Sequence, residues 1–284
     1  MKNIKSFLII GGDKRQIYMA EYLNNFGYSV TTYGLSSENI IDIKSEIPNK
    51  DAIILPLPVS KDEKKIYSII PVKESLDDII SLIDPDQIVF GGMIGKGTES
   101  KLKRKNIKLY DYFKREDVTV MNTVPTVQGI LKVIIDNIDY TVFSSNCTVF
   151  GYGRVAKITA DTLSSLGANI TVCARNCGDL ALAKTKGYNT CNINEFYKSA
   201  NHTDIIINTV PSLVIDKNIL ESIRKDCLII DVSSAPFGVD YGTAYKLGIK
   251  ALQCPSLPGK VAPKTAGKII ADGILNIIRE EYDG

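Results

Sequence analysis

The turn Gly151-Tyr152-Gly153-Arg154-Val155-Ala156 is the stretch whose residue types and spacing point most directly to chemistry. Its first glycine allows a tight turn from strand to helix, its second lets a pyrophosphate approach the backbone, and the small Ala156 lets helix pack on strand. The helix that begins here would offer N–H groups and a positive dipole end to phosphates. Glycines also serve turns that bind nothing, but the apolar residues before this turn and the strand predicted at 168–174 complete a βαβ unit. We therefore predict that a dinucleotide pyrophosphate binds at Gly151, Gly153, Arg154 and Val155.

The end of the following strand indicates which dinucleotide would bind. When the ribose hydroxyls of NAD are recognised, Asp or Glu usually stands roughly 20 residues after the glycines. This chain has Ala174-Arg175-Asn176 instead. A guanidinium pairs with a 2′-phosphate in a bidentate fork, which a carboxylate would repel. Arg175 thus favours NADP, with NAD as the alternative cofactor and an ordinary solvated arginine as the alternative interpretation.

Polar turns follow two further strands of the same half of the chain. Asn208-Thr209-Val210-Pro211 comes after one strand, and Asp231-Val232-Ser233 comes after another. Ligands of open parallel sheets bind outside the carboxyl ends of the strands. We therefore predict that Thr209, Val210, Pro211 and Ser233 line the ribose and nicotinamide. Ordinary turn chemistry is the alternative, because Asn, Ser and Pro favour turns in any protein.

Predicted helix starts elsewhere in the chain combine positive charge with polar side chains. Arg15 and Gln16 follow Gly11-Gly12-Asp13, and similar sequences precede the helices that start near residues 125 and 265. A helix N-terminus stabilises a carboxylate, and the fork of Arg15 matches carboxylate geometry. A solvated arginine at a helix start is the alternative for Arg15. The residues expected to bind a small dicarboxylate are Arg15, Gln16, Thr126, Lys264 and Thr265.

The composition excludes several classes of site and partner. The net charge of +2 gives no reason to expect nucleic acid or an anionic membrane, and the apolar run at residues 7–10 is too short for a signal sequence or a membrane span. Six cysteines without a Cys-x-x-Cys pair, and one histidine, predict no metal site and reduced thiols in a cytoplasmic protein. Since His202 lies in a polar turn, proton transfer falls to Lys, Tyr, a carboxylate or water. Lys264 is the residue we predict for that role.

The alternation of strands and helices predicts an α/β fold: two doubly wound, Rossmann-like domains with parallel sheets and a cleft between them. Residues 1–122 would form the substrate domain and residues 123–284 the NAD(P)-binding domain. The crossover helix 125–138 and the C-terminal helix 265–281 are expected to bridge back to the first domain. Strands are predicted at 4–10, 28–33, 52–55, 88–90, 107–110 and 118–121, and then at 142–143, 147–150, 170–174, 205–208, 228–232 and 250–253.

Taken in order along the chain, these motifs resemble the family of the dipicolinate synthase A subunit. The most specific are Gly11-Gly12-Asp13-x-Arg15-Gln16 near the start and Pro258-Gly259-x-x-Ala262-Pro263-Lys264-Thr265-Ala266-Gly267 near the end. The others are Ile54-Leu55-Pro56, Pro125-Thr126-Val127-x-Gly129, Gly151-x-Gly153-Arg154 and Asn208-Thr209-x-Pro211. One departure is Gln128, where we would expect Glu to be common in relatives, so a base at that position is in doubt.

The resemblance implies an oxidoreductase of sporulating bacteria, acting in the cytoplasm of the mother cell. It implies that dihydrodipicolinate from the lysine pathway is oxidised to dipicolinate together with a flavoprotein-like B subunit. Because oxidation yields an aromatic ring, positioning can matter more than strong acid or base catalysis. The alternatives are another small-acid dehydrogenase, disfavoured by the single turn histidine, and an NADP-binding regulatory subunit without chemistry. The sequence leaves open whether the chain forms a homo-oligomer.

Overall fold

A computed structural model describes residues 4–36 and 41–282 of the chain. The chain divides into two compact units, one made of Met1–Asn122 with Ala262–Gly284 and the other of Thr123–Val261. The outermost residues of the two predicted domains, 1–3 and 283–284, lie outside the described residues. The last helix, which the sequence interpretation assigned to the second domain as a bridge, groups with the first unit.

Every strand assigned to the two sheets is parallel to its neighbours. The strands are β1 Ser6–Ile10, β2 Ser29–Tyr33, β3 Ala52–Ile54, β4 Ile88–Gly91, β5 Lys108–Asp111, β6 Asn146–Phe150, β7 Asn169–Ala174, β8 Asn189–Asn192, β9 Ile205–Asn208, β10 Leu228–Asp231 and β11 Ala251–Gln253. The helices are α1 Lys14–Asn25, α2 Ile43–Glu46, α3 Leu76–Leu82, α4 Lys96–Arg104, α5 Glu116–Met121, α6 Thr123–Ile135, α7 Arg154–Ser165, α8 Cys177–Thr185, α9 Lys217–Ser222, α10 Tyr241–Leu247, α11 Leu257–Val261 and α12 Pro263–Tyr282. The predicted fold class of two parallel-sheet α/β domains is confirmed.

The first unit has five strands in the order β2-β1-β3-β4-β5. Its central strands are continuous apolar runs, such as Phe7–Ile10, because both faces of the sheet are covered. The chain winds first toward β2 and then toward β3, so the direction reverses between β1 and β3. Ligands of such sheets bind where the strand order reverses, outside the carboxyl ends of the strands.

The second unit has six strands in the order β11-β10-β9-β6-β7-β8. Counted within this unit, the order is 3-2-1-4-5-6 read from the β8 edge, which is that of dinucleotide-binding sheets. The reversal lies between β6 and β9, which pair directly with Phe150 opposite Asn208. The turns after these two strands therefore occupy the position where this fold binds its ligands.

The C-terminal helix α12 joins the first unit because its buried face packs on α1. Apolar residues from Ile270 to Tyr282 lie in the same core as Phe7 and Leu23. The two helices approach so closely that a Cβ on Gly267 would collide with the backbone carbonyl of Arg15. This contact explains why a small residue stands there in the helix.

Two predicted strands are wrong. Residues 118–121 belong to helix α5, where Glu116 and Asp117 in the first turn favour the helix dipole and Val118 is buried. Residues 142–143 lie in a turn, with Phe143 68% exposed and the N–H of Ser145 donating to the carbonyl of Val142 at 3.1 Å. Short apolar runs do not distinguish strand, helix and turn, because each holds too few residues for a period to emerge.

By length and composition alone, one segment of the described chain could cross a membrane. Glu116–Ile135 has a mean hydropathy of 1.4 over its most apolar window, of which 39% is buried. A core helix meets the same criterion, so this is a weak indication. The segment covers α5 and α6, and α6 begins at Thr123, two residues before the predicted start at Pro125.

Candidate functional site

The glycine turn of the second unit lies at the end of β6, where the strand order reverses. Gly151 has φ +89°, and a Cβ on it would lie 2.6 Å from Oγ1 of Thr209. Its N–H donates to the carbonyl of Cys173 at 2.8 Å. A left-handed backbone against a neighbouring strand end leaves room only for glycine at this position.

The second glycine of the turn faces open space. A Cβ built on Gly153 would meet no atom within 4 Å. Gly153 also caps helix α7 without a side-chain hydrogen bond, and the first turn of α7 carries no acidic residue. Ala156 is fully buried, so the helix packs tightly on the sheet as the motif requires. An uncapped helix start beside an open glycine fits a phosphate group.

Arg175 follows β7 and is exposed at the rim of a cavity of about 200 Å³. Within residues 4–36 and 41–282 it makes no hydrogen bond or ion pair. Asn176 is engaged in capping α8, accepting from the N–H of Gly178 at 2.7 Å. The cavity is lined by Arg175, Ile193, Asn194, Tyr197, Leu213, Val214, Asp216, Asn218 and Ile219. A guanidinium at the rim is available to an anionic ligand group.

The turn after β9 is held against the end of β6. Both the N–H and the Oγ1 of Thr209 donate to the carbonyl of Phe150, at 3.1 and 2.8 Å. The side-chain amide of Asn208 makes two hydrogen bonds to the backbone of Val210. Its Oδ1 accepts from the Val210 N–H at 3.0 Å, and its Nδ2 donates to the Val210 carbonyl at 3.0 Å. Two of the predicted residues, Thr209 and Val210, are thus brought next to the glycine turn, and Pro211 follows them in the chain.

Asp231, the last residue of β10, was missed as a functional candidate by the sequence interpretation. It is fully buried and pairs in register with Asn208 of the adjacent strand. Its carboxylate accepts hydrogen bonds from Asn208 and from Ser233, the fourth of the residues predicted to line the ribose and nicotinamide. The available signal was a polar residue ending an all-apolar strand, which both Asn208 and Asp231 provide.

In the first unit, Asp13 and Arg15 form a buried ion pair where β1 gives way to α1. Arg15 is 6% exposed, and its Nε and Nη2 donate to Asp13 at 2.9 and 2.8 Å. Nη2 also donates to the carbonyl of Leu57 at 2.6 Å, in the turn that follows β3. Arg15 is therefore not the solvated arginine that stood as the alternative. The pair spans the point where this sheet reverses its strand order.

Gln16 carries an unusual buried amide. The side chain is fully buried, and its Oε1 accepts from the N–H of Asp13 at 2.9 Å, completing a capping box at the start of α1. Its Nε2 has no hydrogen-bond partner among the described residues. A buried donor left unpaired costs about 1–3 kcal/mol, so the position favours an acceptor that protein atoms do not supply.

Tyr67 is a second residue that the sequence interpretation missed. Its backbone carbonyl accepts from the N–H of Gly12 at 2.8 Å, which places it beside the β1 turn. Burial, followed by the negative charge of Asp13, raises the pKa of the Tyr67 phenol. At neutral pH the phenol is protonated and acts as a donor. A tyrosine in an irregular segment gave no periodic signal that could have marked it.

The remaining predicted substrate residues do not share a pocket with Arg15 and Gln16 within the described residues. Lys264 and Thr265 line a groove of about 450 Å³ between α1 and α12, with Tyr18, Glu21, Tyr22, Asn25 and Lys268. Neither Arg15 nor Gln16 lines that groove. Lys264 is exposed, and its side chain makes no hydrogen bond or ion pair with the described part of the chain. Thr126 is half-buried in α6 of the second unit, so the predicted set does not form one cluster within either unit.

Other reactive groups contribute little to these sites. His202 is exposed, and no group of three His, Cys, Asp or Glu side chains within the described residues could hold a metal. Burial raises the pKa of the Cys147 thiol to about 11 and that of Cys227 to about 12. These thiols are neutral at physiological pH and are poor nucleophiles.

The strand order and the open glycine turn of the second unit define a class of protein, the parallel α/β proteins with the fold of nicotinamide-dependent oxidoreductases. In agreement, the family described as NADP oxidoreductase, coenzyme F420-dependent, matches residues 146–235. The first unit is more specific, since the family described as the N-terminal domain of the dipicolinate synthase A subunit matches residues 6–113.

Comparison over the whole chain identifies the family. The A subunit of dipicolinate synthase from Bacillus subtilis (strain 168) is 33% identical over 283 residues, covering 96% of this chain and 95% of that protein. The crystal structure of the dipicolinate synthase A chain from Bacillus subtilis has a TM-score of 0.87 at 32% identity, over 99% of this chain and 97% of that one. The crystal structure of the A subunit from Bacillus halodurans has a TM-score of 0.84 at 31% identity, over 96% and 97%. The chain belongs to the dipicolinate synthase A-subunit family, and the resemblance seen in the motifs is confirmed.

Proposed function

We propose that this protein oxidises dihydrodipicolinate to dipicolinate with NADP as the hydride acceptor. One ring C–H leaves as hydride and one ring proton is released, so the products are dipicolinate, NADPH and a proton. The observation that carries the proposal is the open, uncapped turn at Gly153, at the reversal of strand order in a member of this family. NAD is the alternative acceptor.

We assign a separate set of binding residues in the second unit to each part of the dinucleotide. The pyrophosphate would bind at Gly151, Gly153, Arg154 and Val155, and the 2′-phosphate at Arg175. The ribose and nicotinamide would be lined by Thr209, Val210, Pro211 and Ser233. When bound, the nicotinamide supplies the capacity to accept a hydride. The chain itself supplies backbone donors at the α7 start and a guanidinium at the cavity rim.

In the first unit, the dicarboxylate substrate would be held by Arg15 and Gln16, while Thr126, Lys264 and Thr265 stay predictions from the sequence. Arg15 retains Nη1, for which no hydrogen bond is found within the described residues, and the Nε2 of Gln16 lacks an acceptor there. A carboxylate suits both donors. Lys264 is the proposed proton acceptor: in its neutral amine form it would take up the ring proton, and its exposed side chain, which makes no ion pair in the described part of the chain, would pass that proton to solvent.

The Bacillus subtilis relative is named as one subunit of a synthase, which supports a partner for this chain. We propose that it acts with a B subunit in the cytoplasm of a sporulating cell, on the branch of the lysine pathway that leads to dipicolinate. The net charge of +2 over 284 residues offers no strong field for nucleic acid.

The proposal is tested by following NADPH absorbance when purified protein receives freshly generated dihydrodipicolinate. The assay is run with NADP and with NAD, in the presence and absence of the B subunit. We expect turnover that prefers NADP, with a lower kcat for Lys264→Met. Arg15→Ala should abolish turnover, but its loss also breaks the buried pair with Asp13, so its unfolding midpoint must be measured alongside.

Lys268→Met is the matched control, because Lys268 lines the same groove one helical turn from Lys264 and has no role in the proposal. Tight NADP binding without turnover, even with the B subunit, would contradict the enzyme hypothesis. That result would favour the alternative of a nucleotide-binding regulatory subunit.

A further inference from the structure

The side-chain hydroxyls of Thr209 and Ser233, which follow β9 and β10, both donate hydrogen bonds to protein atoms. Oγ1 of Thr209 lies 2.8 Å from the carbonyl oxygen of Phe150, and Oγ of Ser233 lies 2.7 Å from Oδ1 of Asp231. A carbonyl and a carboxylate oxygen only accept, so each hydroxyl must be the donor. Toward any further partner, both hydroxyls can act only as acceptors.

Asp231 imposes this direction on Ser233 because its carboxylate is saturated with donors. Oδ1 accepts from Asn208 Nδ2 at 3.0 Å, from the Ser233 N–H at 3.0 Å and from the Ser233 hydroxyl at 2.7 Å. Oδ2 accepts from the N–H of Gly238 at 2.8 Å and from the hydroxyl of Tyr241 at 3.0 Å. No ion pair of Asp231 occurs among the described residues. Five hydrogen bonds thus occupy both oxygens of this fully buried carboxylate.

The same carboxylate fixes both turns that follow these strands. Through Asn208 it orders the backbone of Val210, whose N–H and carbonyl are both bonded to the Asn208 amide. Through Ser233 and Gly238 it holds the segment after β10 at two points. One side chain thus determines the positions of two loops on neighbouring strands.

We propose that Asp231 is a positioning residue that makes the ends of β9 and β10 a hydrogen-bond acceptor edge for the nicotinamide half of the dinucleotide. This inference rests on the proposed function. The matching ligand groups are donors, namely the ribose hydroxyls or the carboxamide N–H of a nicotinamide nucleotide. The pyrophosphate, which is fully ionised at neutral pH and only accepts, is repelled from this edge and attracted to the donor N–H groups at the start of α7.

The proposed dinucleotide site of the second unit therefore changes along its length from hydrogen-bond donors to hydrogen-bond acceptors. Donors stand at the uncapped start of α7, and acceptors stand at Thr209 and Ser233. A dinucleotide presents the same order, with phosphate acceptors in the middle and hydroxyl donors on the ribose. The arrangement fixes which half of the ligand lies over which strands.

The inference is tested by isothermal titration of the full-length chain with NADPH and with adenosine 2′,5′-bisphosphate, which lacks the nicotinamide half. Ser233→Ala and Thr209→Val each remove one acceptor. We expect each to weaken NADPH by about threefold to tenfold, the worth of one hydrogen bond, and to leave the bisphosphate unchanged. Asp231→Asn places an amide N–H against buried donors and is expected to unfold the unit, so the hydroxyl variants carry the test.

Tyr241→Phe is the matched control for Ser233→Ala. Each variant removes one hydroxyl donor from Asp231, but Tyr241 bonds to the other carboxylate oxygen. Both should lower the unfolding midpoint similarly, and only Ser233→Ala should weaken NADPH. Equal NADPH affinity in the two variants, or equal losses for both ligands, would overturn the inference. If the unaltered chain binds neither NADPH nor NADH, the proposed function fails as well, which is a different result.

Discussion

Both units contain a strand–glycine–helix turn, but protein atoms fill the space around the turn in the first unit and leave it open in the second. In the first unit, α1 is capped by Asp13 and a Cβ on Gly12 would collide with the side chain of Gln16. In the second unit, α7 has no side-chain cap and the space around Gly153 is open. Glycines alone therefore do not define a phosphate site, because one turn is filled by protein and the other is left for a ligand.

The two turns also differ in the charges at the start of their helices. The carboxylate of Asp13 already accepts from the N–H of Arg15 at the start of α1 and is neutralised by the Arg15 guanidinium. The first turn of α7 contains no acidic residue, so its dipole remains uncompensated. The start of α7 therefore offers a phosphate an uncapped helix N-terminus, which the capped start of α1 does not.

Replacing the buried glycine should have the largest effect. Gly12→Val places a β-branched side chain at φ +111° against Gln16. Backbone strain and overpacking together should lower the free energy of unfolding by about 4 kcal/mol. Urea denaturation followed by circular dichroism measures the change. Gly27→Val is the control, since Gly27 has φ +87° but a Cβ there would meet no atom within 4 Å. This variant should be destabilised by backbone strain alone.

Gly153→Val is the counterpart in the second unit. A Cβ at this position would meet no protein atom within 4 Å, so the urea midpoint should fall only by the modest cost of losing glycine at a helix N-cap. It would occupy the space proposed for the pyrophosphate, and NADPH affinity should fall at least about a hundredfold, or about 2.7 kcal/mol. Titration calorimetry measures this. Retained affinity would mean that the open turn does not hold phosphate.

The cavity rim of the second unit offers a test of cofactor choice. Arg175→Gln removes a charge that makes no ion pair within the described residues, so stability should not change. The affinity for NADPH should fall about tenfold through loss of a charge-assisted hydrogen bond, while that for NADH stays the same. Fluorescence titration with both nucleotides measures the ratio. A parallel loss for both would show that Arg175 does not contact the 2′-phosphate.

The smallest expected effect concerns the charges that hold α12 in the first unit. Hydrogen bonds from Arg115 hold the pKa of Asp117 at about 2, below the usual 3.8. Because this pKa is depressed, the stabilisation is complete above about pH 4 and is lost as the pH falls toward 2. Asp117 is 39% exposed at its side chain, so Asp117→Asn should cost only about 0.5 kcal/mol at pH 7.

This last effect is measured by urea denaturation at pH 7, 4 and 2.5. The difference between Asp117→Asn and the unaltered chain should shrink at the lowest pH. Asp139→Asn is the control in the second unit, since Asp139 is exposed and its carboxylate makes no hydrogen bond or ion pair among the described residues. A constant difference across the three pH values would contradict the assignment to Asp117.

Sequence patterns predicted the architecture well where apolar runs were long. The strands at 205–208 and 228–231 and the glycine turn at 151–153 follow from buried parallel strands and their tight turns. Prediction failed at 118–121, where four residues fit a strand as well as a helix, and it missed the polar edge strand β8 at Asn189–Asn192. Edge strands need little apolar surface, so they give little signal.

The sequence by itself determined the fold class, the family and the turn at Gly151-x-Gly153, because these depend on local periodicity and on residues that only a few conformations accept. Tertiary structure alone decided that Arg15 is buried against Asp13 and Leu57, and that α12 returns to the first unit. It also brought Asn208 and Asp231 into register on adjacent strands. These contacts join residues far apart in the chain, and pairing across such distances is set by packing rather than by any local pattern.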